Sequence, residues 1–198
     1  MSLLSRLSCR NLLGLIFVGL FVASVLSLAM TVKPVLGSPG LTRKWTVDTG
    51  ASTAISPLAA DLNGDGKMEI VVTGTITSNL VRVWALRGAD GNVLWSRDLP
   101  SAWPQNPGHT PFEIADLNKD GIPEIVIAAA SLTVALHGND GSTYWESRAR
   151  SDGNWPAIAD IDGDGYPEVF VASGMGPEQG YDWITSLSHD GNILHQAY

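Results

Sequence analysis

The residues best suited to chemistry are carboxylates placed at every second position. Asp160, Asp162 and Asp164 alternate within Asp160-Ile161-Asp162-Gly163-Asp164-Gly165-Tyr166-Pro167-Glu168, so a tight turn aims all three at one point. Gly165 permits the positive-φ backbone that curls the chain around that point. Tyr166 then offers its backbone carbonyl and Glu168 a further carboxylate. An all-oxygen, anionic shell suits a hard cation of calcium's size better than zinc or copper.

The pattern occurs three times, at residues 61–69, 116–124 and 160–168. Asp61, Asn63, Asp65 and Glu69 repeat it in the first loop, with Lys67 at the seventh position. Asp116, Asn118, Asp120 and Glu124 repeat it in the second, with Ile122 at the seventh. Good turn chemistry alone accounts for Asn-Gly-Asp-Gly. Three copies that each carry Glu at the ninth position favour a cation, and about three Ca²⁺ ions are expected. An EF-hand is excluded. It needs a bidentate Glu at position 12 and flanking helices, whereas position 12 is Val72, Ile127 and Val171, and the flanks are β-branched and aromatic. These loops therefore join two strands.

The remaining elements must position the loops. Gly88-Ala89-Asp90-Gly91, Gly138-Asn139-Asp140-Gly141 and Ser188-His189-Asp190-Gly191 are hairpin signals. Trp45, Trp95 and Trp145 are spaced by 50 residues, and His195 falls at the next interval, which marks a repeat architecture. Each repeat reads as four strands. The first ends at the acidic loop (54–61, 110–116, 155–160) and the second leaves it (68–74, 123–130, 167–173). The third enters the Asp-Gly turn (80–87, 132–137, 183–188) and the fourth carries the Trp (92–98, 142–147, 192–198). Four antiparallel strands in about 50 residues make a propeller blade. The fold class is all-β, a partial β-propeller of three blades. Residues 42–48 read as an extra fourth strand, with Trp45 in the Trp position. The Trp residues are expected in inter-blade core.

The loop D-x-[DN]-x-D-G-x-x-E followed by an apolar strand resembles the FG-GAP/VCBS repeat of integrin-α-type β-propellers. The resemblance covers residues 42–198. It implies calcium ligands at loop positions 1, 3, 5, 7 (through the carbonyls of Lys67, Ile122 and Tyr166) and 9, and three blades of a seven-bladed ring. Lys119 replaces the usual Gly at position 4, which is not a ligand. The Phe-Gly and Gly-Ala-Pro signatures of the family are absent, so the bacterial VCBS-like branch fits better than the integrins. The arc is completed either by further blades or by self-association.

Residues 1–30 read as a targeting segment. Arg6 and Arg10 precede an uncharged run of 19 residues from Leu12 to Met30, which fits a cleaved signal peptide or an uncleaved N-terminal anchor. Residues 31–41 read as a linker. Export is expected in either case: secreted, periplasmic or cell-surface. Cys9 is the single cysteine and lies in that segment, so the exported part has no disulfide and calcium could serve as its staple. Without Arg6 and Arg10 the chain has 10 basic against 20 acidic residues, and ten of the acids lie in the three loops. No basic patch supports a nucleic-acid partner.

No catalytic motif is visible, and His137 and His189 read as solvated turn residues. The first functional expectation is a non-catalytic adhesion or binding module for protein or polysaccharide outside the cell. The resemblance places partners on the face opposite the calcium loops, where Trp103, His109, Tyr181 and Asp182 fall. Local packing of Trp103-Pro104 and Trp155-Pro156 is the plainer alternative. The second expectation is a propeller enzyme. Similar loops occur in polysaccharide lyases related to rhamnogalacturonan lyases, and Gly-x-Asp-Gly-x-x-x-Trp resembles the docking motif of quinoprotein propellers.

Overall fold

A computed structural model describes residues 42–54, 57–100, 110–129, 132–151, 153–173 and 183–197. The chain divides into two units, Met1–Arg43 and Lys44–Tyr198. Only Thr42 and Arg43 of the first are described, so the targeting segment (1–30) and the linker (31–41) lie outside the described residues. So do Trp103, His109, Tyr181 and Asp182. No helix of the described residues is long and apolar enough to cross a membrane.

The second unit is all-β. Blade one contains β1 (Thr53–Ala54), β2 (Leu58–Ala60), β3 (Glu69–Thr77), β4 (Leu80–Arg87) and β5 (Val93–Pro100). Blade two contains β6 (Phe112–Ala115), β7 (Glu124–Ala129), β8 (Leu132–His137) and β9 (Thr143–Ser147). Blade three contains β10 (Ala157–Ala159), β11 (Glu168–Ser173), β12 (Trp183–Leu187) and β13 (Ile193–Ala197). Each sheet is antiparallel and ordered as the chain runs. In blade one the first strand is in two pieces. Both β1 and β2 pair with the long β3, and Pro57, which has no N–H to donate, lies between them.

Burial follows the stacking of the sheets. Val71, Val83 and Ala85 of blade one meet Phe112, Ile125, Ile127, Val134 and Leu136 of blade two in one core. Val126, Ala128 and Ala135 on the other face of blade two meet Val169, Val171 and Leu187 of blade three in a second. Sandwiched in this way, β7 is buried at every residue, which is why it reads as an unbroken apolar run. The first strands β2, β6 and β10 are neighbours, so the blades share an inner edge and the arrangement is a partial β-propeller.

The turn repeat is equally regular. In blade two, His137 N–H donates to Ser142 O and Gly141 N–H to His137 O, and Arg87, Asn92 and Gly91 do the same in blade one. A bulge follows at the same place in every blade, at Ala85/Leu86, Ala135/Leu136 and Ser186/Leu187. Each tryptophan then reaches across to the next blade's turn. Trp45 Nε1 donates to Gly88 O at 3.1 Å, Trp95 Nε1 to Gly138 O at 2.8 Å and Trp145 Nε1 to His189 O at 2.8 Å. The turn needs glycine for two reasons. Gly141 has φ +72°, and a Cβ there would lie 2.6 Å from the Trp95 ring.

One expectation is corrected. Residues 42–48 form no strand, because no neighbouring strand among the described residues pairs with them. Trp45 nevertheless takes the position that the strand-borne Trp95 and Trp145 occupy.

Candidate metal centres

The three acidic loops join β2 to β3, β6 to β7 and β10 to β11, so all lie at one end of the blades. Their backbones repeat. Gly64 and Gly66, Lys119 and Gly121, and Gly163 and Gly165 all have positive φ, at loop positions 4 and 6. This curl folds the chain over the first aspartate. Gly66, Gly121 and Gly165 N–H donate to Oδ2 of Asp61, Asp116 and Asp160 at 2.8–2.9 Å. The third position accepts from the fifth residue's N–H: Asn63 from Asp65, Asn118 from Asp120 and Asp162 from Asp164. The fifth position accepts from the seventh: Asp65 from Lys67, Asp120 from Ile122 and Asp164 from Tyr166.

The ninth-position glutamates begin β3, β7 and β11 and are buried. Each spends one oxygen on the loop: Oε2 of Glu69, Glu124 and Glu168 accepts the N–H of Leu62, Leu117 and Ile161 at 2.9–3.0 Å. In the second loop the other oxygen, Glu124 Oε1, accepts from Asn118 Nδ2 at 3.4 Å. In the third loop, carboxylate oxygens of Asp160, Asp162 and Glu168 lie within 4.8 Å of one another. Asn63 and Asn118 replace the third-position acid in the other two loops.

Three observations test whether a cation fits. The Asp160–Asp162–Glu168 convergence brings like charges together, which is costly unless a cation or a proton neutralises them. In the second loop Asp116 Oδ1 is buried and has no hydrogen-bond partner. In the first and third loops the corresponding oxygen accepts the fourth residue's N–H at 2.8 and 2.7 Å. The third observation is Glu124, whose pKa is raised first by burial and further by the charge of Asp120, against the opposing Leu117 N–H. A cation would reverse that balance, and an all-oxygen donor set suits Ca²⁺. The residues fit the group.

Other contacts on this end were not foreseen. His137 is no free turn residue: its Nδ1 lies 3.4 Å from Glu124 Oε1, and its ring tilts against Tyr144 with centroids 5.0 Å apart. His189 likewise stacks on Tyr166, with centroids 4.4 Å apart. Lys119, at φ +63°, sends its ammonium over the Tyr166 ring, 5.0 Å from the centroid. The second and third loops are thereby in contact. The first contact follows from the register of β7 and β8, which sets Glu124 opposite His137. In the first loop Lys67 Nζ pairs with Asp65 Oδ2 at 3.1 Å, and that side-chain hydrogen bond, with the Lys67 N–H, holds the Asp65 pKa below its ordinary value.

Fold and site together define a β-propeller segment whose blades each carry an acidic loop. Residues 61–127 and 116–171 match the model of the FG-GAP-like repeat, and the chain belongs to that family. It is 32% identical to protein FAM234B of Gallus gallus over an alignment covering 62% of this chain and 22% of that protein. The chain thus spans about a fifth of that relative's length. Among solved structures, BamB from Moraxella catarrhalis is similar with a TM-score of 0.49 and 16% identity, over 78% of this chain and 39% of that one. The V. cholerae biofilm matrix protein Bap1 gives a TM-score of 0.32 and 23% identity, over 72% and 28%.

Proposed function

We propose that each of the three loops holds one Ca²⁺ ion and that the cations brace a propeller segment whose role is binding rather than catalysis. Position 1, 3, 5 and 9 side chains and the carbonyls of Lys67, Ile122 and Tyr166 are the donors. The convergence of Asp160, Asp162 and Glu168 carries this reading, and the same hydrogen-bond ladder in the other loops extends it. The experiment is calorimetric titration of chelator-treated protein with Ca²⁺. About three equivalents are expected. No binding, or preference for Zn²⁺, refutes it.

The binding role is placed outside the cytoplasm, with a protein or polysaccharide as partner. Family membership and the Arg6/Arg10-led apolar run support export, with either a cleaved signal or an anchor. A reporter fused after residue 45 should be found outside the cytoplasm, and a cytoplasmic reporter ends that reading.

A further inference from the structure

Neighbouring acidic loops meet at a repeated place, where position 4 of one faces position 7 of the next. A Cβ on Gly64 of the first loop would meet Ile122 Cγ1 of the second at 3.9 Å. Lys119 of the second loop faces Tyr166 of the third in the same way, but with a side chain that spans the gap. Its ammonium lies 5.0 Å from the Tyr166 ring centroid and 2.6 Å from the place a Cβ on Gly165 would take. Gly64 and Gly163 occupy position 4 in the other loops. Lys119 holds it at φ +63°, alone among the described non-glycine residues in having a positive φ.

The charge arrives at the most acidic loop. The third loop has four carboxylates, Asp160, Asp162, Asp164 and Glu168, and no basic residue, whereas the first and second have three carboxylates and a lysine each. Lys67 stays with its own loop, against Asp65 at 3.1 Å. Lys119 is exposed and forms no ion pair among the described residues, and its ammonium rests on the Gly165–Tyr166 turn of its neighbour. Given the three loops as Ca²⁺ sites, on which this inference rests, we propose that Lys119 sets the affinity of the third. It is a tethered cation that softens the repulsion among that loop's carboxylates without metal and opposes a second cation as it enters. At a separation of about 8 Å a unit charge changes the affinity for a divalent cation by about fivefold in water, and by about twofold when salt at about 0.15 M screens it.

Calorimetric titration of the chelator-treated full chain with Ca²⁺ tests this in wild type, Lys119→Met and Lys119→Arg. Lys119→Met removes the charge and keeps an unbranched side chain over the ring; should it not fold, Lys119→Gly, the residue of the other loops, replaces it. One site should bind about two to five times more tightly in the neutral variant, with the larger gain at low salt. Lys119→Arg should keep the wild-type affinity. In an Asp162→Ala background, which disables the third site, the neutral variant should leave the remaining affinities unchanged. A packing role alone would weaken the site when the lysine is lost, so an unchanged or weaker site overturns the proposal. A gain of the same size in Lys119→Arg, or one that persists with Asp162→Ala and so belongs to the second loop, also overturns it. A wild-type chain that binds no Ca²⁺ ends the calcium reading and this proposal together, whereas bound Ca²⁺ indifferent to Lys119 ends the proposal alone.

Discussion

Asp162→Asn is the sharpest perturbation of the third loop, because it gives that loop the residue that Asn63 and Asn118 supply in the other two. It removes two of the three carboxylate pairs among Asp160, Asp162 and Glu168, whose oxygens lie within 4.8 Å. Asp162 is exposed, so the dielectric of water applies, and each pair repels by about 1 kcal/mol at that separation. Salt at about 0.15 M roughly halves this. The variant should gain about 1 kcal/mol without metal, or roughly 3 °C in Tm for a domain of this size. With calcium at about 100 times the wild-type Kd, the wild-type site contributes about 2.7 kcal/mol. A tenfold weaker site in the variant contributes about 1.4 kcal/mol, so the advantage of about 1 kcal/mol is fully cancelled. The assay is thermal melting of both proteins in chelator and in calcium. A variant less stable than wild type in chelator would mean that the carboxylates do not repel as placed. An undiminished calcium increment would remove Asp162 from the ligand set.

Two further substitutions test the contacts around the loops. Gly141→Ala meets both a φ of +72° and the Trp95 ring at 2.6 Å, so it should cost about 2–4 kcal/mol, read by denaturant unfolding; a loss below about 0.5 kcal/mol would mean that the turn is not clamped. Lys119→Ala keeps the left-handed backbone and loses the ammonium over Tyr166, so about 0.5–1 kcal/mol should be lost. Lys119→Gly also relieves about 1–2 kcal/mol of backbone strain, offset in part by the entropy of glycine in the unfolded chain. The glycine variant should therefore be the more stable of the two, and the reverse order would reject strain at this position.

Most of the fold was legible because its signals are local and repeated. A strand pattern, an acidic loop and an Asp-Gly turn recur at nearly constant spacing, so an error in one copy is corrected by the others. Strand two of blade one outran the expectation, to Thr77, because β4 pairs with it as far as Thr77 opposite Leu80 and β1 adds partners at Gly74 and Thr75. Residues 42–48 carry the right pattern without a partner strand, and pattern alone does not make a strand. The contacts that sequence reasoning missed all join separate segments. His137 was visible as a turn neighbour, but its approach to Glu124 depends on the register of β7 and β8. The position of Lys119 over Tyr166 depends on how blade two sits against blade three, which no single repeat encodes.

The second residue of each loop connects the site to the fold. Its N–H is held by the glutamate that begins the next strand, at Leu62, Leu117 and Ile161 alike. The side chains of the first two are buried between blades: Leu62 packs in the core shared with blade two and Leu117 in the core shared with blade three. Backbone and side chain of one residue thus tie the loop's glutamate to the neighbouring blade. A cation held as proposed would bind the same glutamate and brace the loop from which this residue reaches the inter-blade core. Calcium held as proposed would therefore stabilise the contact between blades as well as the turn within one. The third loop has the same backbone bond but leaves Ile161 exposed, so there the glutamate is tied to the loop alone.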